Sequence, residues 1–113
     1  MHCIDTWDGG REHVASDMPE VEARFDSNIA KAQSVTGNTA TVIKHKKPSN
    51  IALVELAAEG RTSTFDLVFV DGSHQATDVL TDAVISFQLL RLGGLMIFDD
   101  YLWGCISRVA KAR

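Results

Sequence analysis

Two stretches of this chain are apolar without alternation, and each ends in acid. Leu67, Val68, Phe69 and Val70 lead into Asp71-Gly72-Ser73-His74, and Leu95 to Phe98 lead into the pair Asp99-Asp100. An unbroken apolar run of this length predicts a strand covered on both faces, as in a parallel sheet. Strands are therefore expected over Phe65 to Asp71 and Leu95 to Phe98. Between them Val79, Leu80, Ala83, Val84, Phe87 and Leu90 recur at helical spacing, which predicts a helix from about Ala76 to Leu90 with that stripe against the sheet. Gly93 and Gly94 then supply the tight turn that ends the unit.

The same alternation continues upstream. His2 to Ile4 reads as a short strand, followed by the glycine-rich loop Asp5-Thr6-Trp7-Asp8-Gly9-Gly10. A helix is expected to start near Asp17, whose spacing to Glu20 suits a capping box with Pro19 in the first turn, and Val21, Phe25 and Ile29 form its inward stripe. Thr39 to Ile43 predicts a strand, and Asn50 to Ala58 a short helix bearing Ile51, Val54 and Leu56. The predicted order is β-α-β-α-β-α-β, an α/β class with a mostly parallel sheet and flanking helices. At 113 residues it makes one domain, residues 1–113.

Charge and composition narrow the partners. Fifteen acidic residues against 11 basic ones give a net charge of -4, which argues against coating nucleic acid and favours a small-molecule partner. Two distant cysteines suggest neither a zinc site nor a disulfide framework, so a reducing cytoplasm fits. No apolar run approaches the ~20 residues of a membrane span, and no signal-peptide pattern opens the chain.

Chemistry concentrates at the strand ends. Asp5 can accept hydrogen bonds from both ribose hydroxyls of an adenosine-containing cofactor, or it can make a turn by taking nearby backbone amides. Trp7 either covers an adenine or packs under the loop. A right-handed crossover brings the ends of the two buried strands to one edge, where Asp71, Asp99 and Asp100 together offer oxygen ligands to a hard cation such as Mg2+. The alternatives are aspartates facing water and, for Asp71, a turn before Gly72. His74 has the titration range of a general base, or simply starts the next helix. Lys44-His45-Lys46-Lys47 reads as a solvated loop after a strand rather than a phosphate site, and Ser49 either touches the cofactor or caps a helix.

Taken together, IDTWDGG at Ile4 to Gly10, FDLVFVDGSH at Phe65 to His74 and GGLMIFDDYLW at Gly93 to Trp103 resemble the class I S-adenosylmethionine-dependent methyltransferases of the catechol O-methyltransferase-like and macrocin O-methyltransferase-like group. The resemblance implies a Rossmann-like fold and places the ribose-binding acid of that family on Asp5. It implies a further cofactor contact at Ser49, a metal triad at Asp71, Asp99 and Asp100, and O-methylation of a small hydroxylated molecule; beside these, Trp7 and Asp71 stand as candidate cofactor contacts and His74 as the candidate base. The family's first strand and glycine-rich turn have no counterpart here, and no G-x-G-x-x-G occurs. The sequence therefore reads as a partial domain, truncated at both ends, whose isolated activity has to be tested. Unpaired strand edges would then be satisfied by a second copy, so a homo-oligomer is expected. Two other classes fit the same pattern: a different nucleotide-binding enzyme such as a dehydrogenase, and a non-catalytic α/β module with a partner on its sheet edge.

Overall fold

A computed structural model describes residues 1–9, 17–36 and 40–99. Strands and helices alternate throughout: β1 (His2–Asp5), α1 (Met18–Thr36), β2 (Ile43–Lys46), α2 (Ser49–Ala58), β3 (Phe65–Val70), α3 (Ala76–Leu89) and β4 (Leu90–Phe98). This is the expected order and an α/β, Rossmann-like arrangement. The chain divides into two compact units, Met1–Ser49 and Asn50–Arg113. Each carries one parallel two-stranded sheet, β1 with β2 and β3 with β4.

In the first unit His2 pairs with Ile43 and Ile4 with His45. The second strand thus starts four residues later than expected, at Ile43, the last residue of the run Thr39 to Ile43, and Thr39 itself lies outside the described residues. The basic run is correspondingly not a loop, since Lys44, His45 and Lys46 are strand residues. The reason is on α1. Period-two alternation sends Lys44 and Lys46 to the same side, where Glu22 and Asp26, one helical turn apart, receive both ammonium groups at 2.6 to 2.9 Å. His2 and His45 fall on the alternate positions and stack, with Nδ1 of one 2.9 Å from Nε2 of the other. Along α1, Phe25 and Ile29 are half-buried as expected, whereas Val21 is exposed and Glu22 takes the inward position.

The second unit differs from expectation in how its helices are turned. On α2 the buried residues are Ala52, Leu53 and Leu56, while Ile51 and Val54 are exposed. That helix is apolar almost all round, so periodicity could not choose its face. On α3 the inward residues are Asp82, Ser86 and Leu89, with Val79, Ala83 and Ile85 half-buried, and the expected Leu80, Val84 and Phe87 are exposed. The junction sets this rotation. α3 runs straight into β4 at Leu90, and its last carbonyls, on Gln88 and Leu89, accept hydrogen bonds from the backbone N–H groups of Ser63 and Thr64 just before β3.

Gly93 and Gly94 correspondingly lie inside β4 rather than in a turn before it. Phe65 pairs with Leu90 but Leu67 with Leu95, so two residues of advance on β3 answer five on β4. Gly93 takes φ +78° within this irregularity, and a Cβ on Gly94 would lie 3.0 Å from the Arg91 carbonyl oxygen and 3.1 Å from that of Phe65. Gly93 therefore supplies the backbone freedom expected of it, but in a bulge rather than a turn, and Gly94 adds a close backbone approach that was not expected. Beyond it Leu67, Phe69, Leu95 and Ile97 share one face of the sheet, and all four remain exposed.

Candidate functional site

The carboxyl end of β1 is a tight local structure built around Asp5. Its Oδ1 accepts the Trp7 backbone N–H at 2.8 Å, the turn-forming role open to an aspartate after a strand. Trp7 then adopts φ +55°, a conformation unusual for a bulky side chain. The residue is only 6% exposed, and its ring tilts against Phe25 at 5.3 Å between centroids and lies under the Lys44 ammonium at 4.4 Å. The packing role is thus the one Trp7 fills here. Asp5 itself is exposed, and its Oδ2 accepts nothing from the described residues, which leaves an oriented carboxylate facing solvent at a strand end.

Electrostatics beneath this loop are dominated by Glu22 and Lys44. Hydrogen bonds from Lys44 and then Lys46 hold the Glu22 carboxyl below its usual range, and the hydrogen bond to Glu22 leads the causes that raise Lys44. Glu22 is lowered, so its contribution is complete above the free carboxylate value and is lost as pH falls. Lys44 is raised, so its contribution is complete below the free lysine value and is lost as pH rises. We expect the stability difference between the native chain and Glu22→Gln to be flat between about pH 5 and about pH 10 and to shrink outside that window, on free values of about 4.3 and about 10.4. Thermal melts across pH check this, and a difference that grows in acid would contradict it.

At the second sheet, Asp71 and Asp99 follow directly on the paired residues Val70 and Phe98. The Asp99 N–H donates to the Val70 carbonyl at 3.0 Å, extending the ladder by one bond. The parallel pairing therefore brings these two acids side by side, both exposed, as the crossover argument requires. Asp100 lies outside the described residues. Among the described residues no group of three His, Cys, Asp or Glu side chains is arranged to hold a metal ion. His74 is half-buried in the loop before α3, next to Gln75 at the helix N-terminus, and Ser49 is the half-buried first residue of α2.

Sequence reading overlooked Asp82. It is buried on α3, and its Oδ2 comes within 3.8 Å of where a Cβ on Gly72 would stand, so a carboxylate underlies the Asp71-Gly72-Ser73 turn. An acid within the helical stretch Val79 to Leu90 was the available signal, but it sits opposite the larger apolar residues, where a solvated position is the ordinary expectation. No described helix is long and apolar enough to cross a membrane.

A family model described as a methyltransferase domain matches residues 1–101, the span that contains both strand-end sites. The chain belongs to that family. No curated protein and no solved structure matches it. As a class I methyltransferase domain it uses S-adenosylmethionine as methyl donor. The Asp5 carboxylate fits a ribose diol: one oxygen is fixed by a backbone N–H, and the other is left among the described residues to accept from hydroxyls. In this methyltransferase domain the ends of β3 and β4 present Asp71 and Asp99, with His74 in the loop that follows β3.

Proposed function

We propose that this methyltransferase domain methylates a hydroxyl oxygen of a small molecule, with Asp5 holding the ribose of S-adenosylmethionine. The observation that carries the reading is the oriented, exposed Asp5 carboxylate at the end of β1. Bound S-adenosylmethionine supplies an electrophilic methyl group. Asp5 anchors the nucleoside through charge-assisted hydrogen bonds, with Ser49 as a further contact and Trp7 packed beneath the loop. His74 accepts the proton that the acceptor hydroxyl releases, a role suited to an imidazole near neutral pH. Asp71 and Asp99 orient the acceptor, and magnesium assistance depends on Asp100 completing their ligand set. A catechol-type or sugar hydroxyl, as in the enzymes the motifs resemble, is the acceptor class we favour.

Calorimetric titration with S-adenosylmethionine, with and without magnesium, tests both halves in the native chain, Asp5→Ala and Asp99→Ala. Affinity lost in Asp5→Ala supports the ribose role, and a magnesium effect lost in Asp99→Ala supports the metal. Unchanged affinity in Asp5→Ala removes the first, and the absence of any magnesium effect removes the second. Self-association belongs to the same proposal, favoured by the apolar face of Leu67, Phe69, Leu95 and Ile97, whose exposure is unusual for an isolated soluble surface. Light scattering is expected to show a dimer or larger species, and a monodisperse monomer at high concentration would refute it.

A further inference from the structure

Asp5 is a short, exposed side chain, and an exposed carboxylate ordinarily samples several rotamers. What fixes this one is the Trp7 N–H at 2.8 Å. Trp7, which carries that N–H, adopts φ +55°, a conformation a bulky residue keeps when its surroundings impose it, so whatever seats the Trp7 ring also holds the residue that donates to Asp5. The surroundings here are the Phe25 ring on one side and the Lys44 ammonium at 4.4 Å. Lys44 is in turn pinned by Glu22 at 2.8 Å and Asp26 at 2.9 Å. An unbroken chain of contacts thus runs from the acidic face of α1 through Lys44 and the Trp7 ring to the Asp5 carboxylate, all within the first unit.

We propose that Lys44 is a positioning residue for Asp5, acting through Trp7 to hold the carboxylate ready for the ribose. The inference rests on the ribose role of Asp5 and adds how the acid is preorganised, since a group fixed before binding loses less freedom on binding. Lys44 touches no ligand in this scheme. Its charge stabilises the aromatic ring from above, which a neutral side chain of the same length does not do.

Two readouts on the full chain test it. In the free protein, the Trp7 backbone amide proton shift in NMR is expected to follow the ionisation of Asp5 across an acid titration. Lys44→Met should reduce that amplitude, and Lys44→Arg, which keeps the cation, should restore it. Binding of S-adenosylhomocysteine should weaken about 3- to 30-fold in Lys44→Met and recover in Lys44→Arg. In an Asp5→Ala background, or with a 2′,3′-dideoxy analogue of the ligand, the same Lys44→Met change should have no effect. An unchanged Trp7 amplitude in Lys44→Met overturns the proposal, as does an equal affinity loss with and without Asp5. Unchanged affinity in Asp5→Ala instead overturns the ribose reading, while the amide titration still decides whether Lys44 positions the carboxylate.

Discussion

Leu89→Ala is expected to destabilise the protein by about 2–5 kcal/mol, whereas Phe87→Ala, two residues away on the same helix, is expected to shift stability by no more than about 0.5 kcal/mol. Leu89 is 1% exposed and sits where α3 turns directly into β4, so truncation removes buried methyl groups and leaves a cavity that the fixed junction cannot close. Its carbonyl also receives the Thr64 N–H, which ties that backbone in place. Phe87 is 73% exposed and loses little burial. With about 5–15 kcal/mol holding a small domain together, the Leu89 change consumes a large part of the margin. Denaturant unfolding of both variants checks the pair. Equal losses would mean that the helix is rotated to bury its larger apolar residues, as periodicity alone suggests.

Asp5→Ala is expected to weaken S-adenosylmethionine binding roughly 10- to 100-fold, from about 1.5–3 kcal/mol for hydrogen bonds to a charged group. The fold should survive, because Asp5 is exposed and the residue loses one local hydrogen bond to Trp7. Asp5→Asn separates charge from shape: the amide oxygen can still take the Trp7 N–H, so its affinity should fall between those of the native chain and Asp5→Ala. Calorimetry on the three proteins reads this order directly. An Asp5→Asn variant that binds as tightly as the native chain would show that the turn, and not the charge, is what the ligand requires.

The acids at the strand ends were legible because they stand at the boundary between an apolar run and a glycine or an acid pair, a local signal that tertiary packing does not alter. Asp71 and Asp99 accordingly emerge side by side at the ends of β3 and β4. The roles around Asp5 were legible only in part. Its turn with Trp7 is a two-residue matter, but the cation above the Trp7 ring comes from β2, 37 positions along the chain. Spacing carries no trace of such a pair. Asp82 escaped for the opposite reason, since an acid on an amphipathic helix is ordinarily solvated and only the observed rotation of α3 buries it.

What the sequence by itself determined is therefore the order β-α-β-α-β-α-β, the presence of strands at β3 and β4 though not the burial expected of them, the limits of α3 to within a residue, and the family motifs, because each is written in a short window of apolar runs and turn residues. Tertiary structure alone decided which face each helix buries, since α2 and α3 carry apolar residues over more than one face. It also moved β2 onto Lys44 and Lys46, where the carboxylates of Glu22 and Asp26 neutralise a strand that local propensity would have left as a loop. Periodicity records how apolar a segment is and with what repeat. The partner that will cover it, and the charge that partner brings, belong to residues distant in sequence.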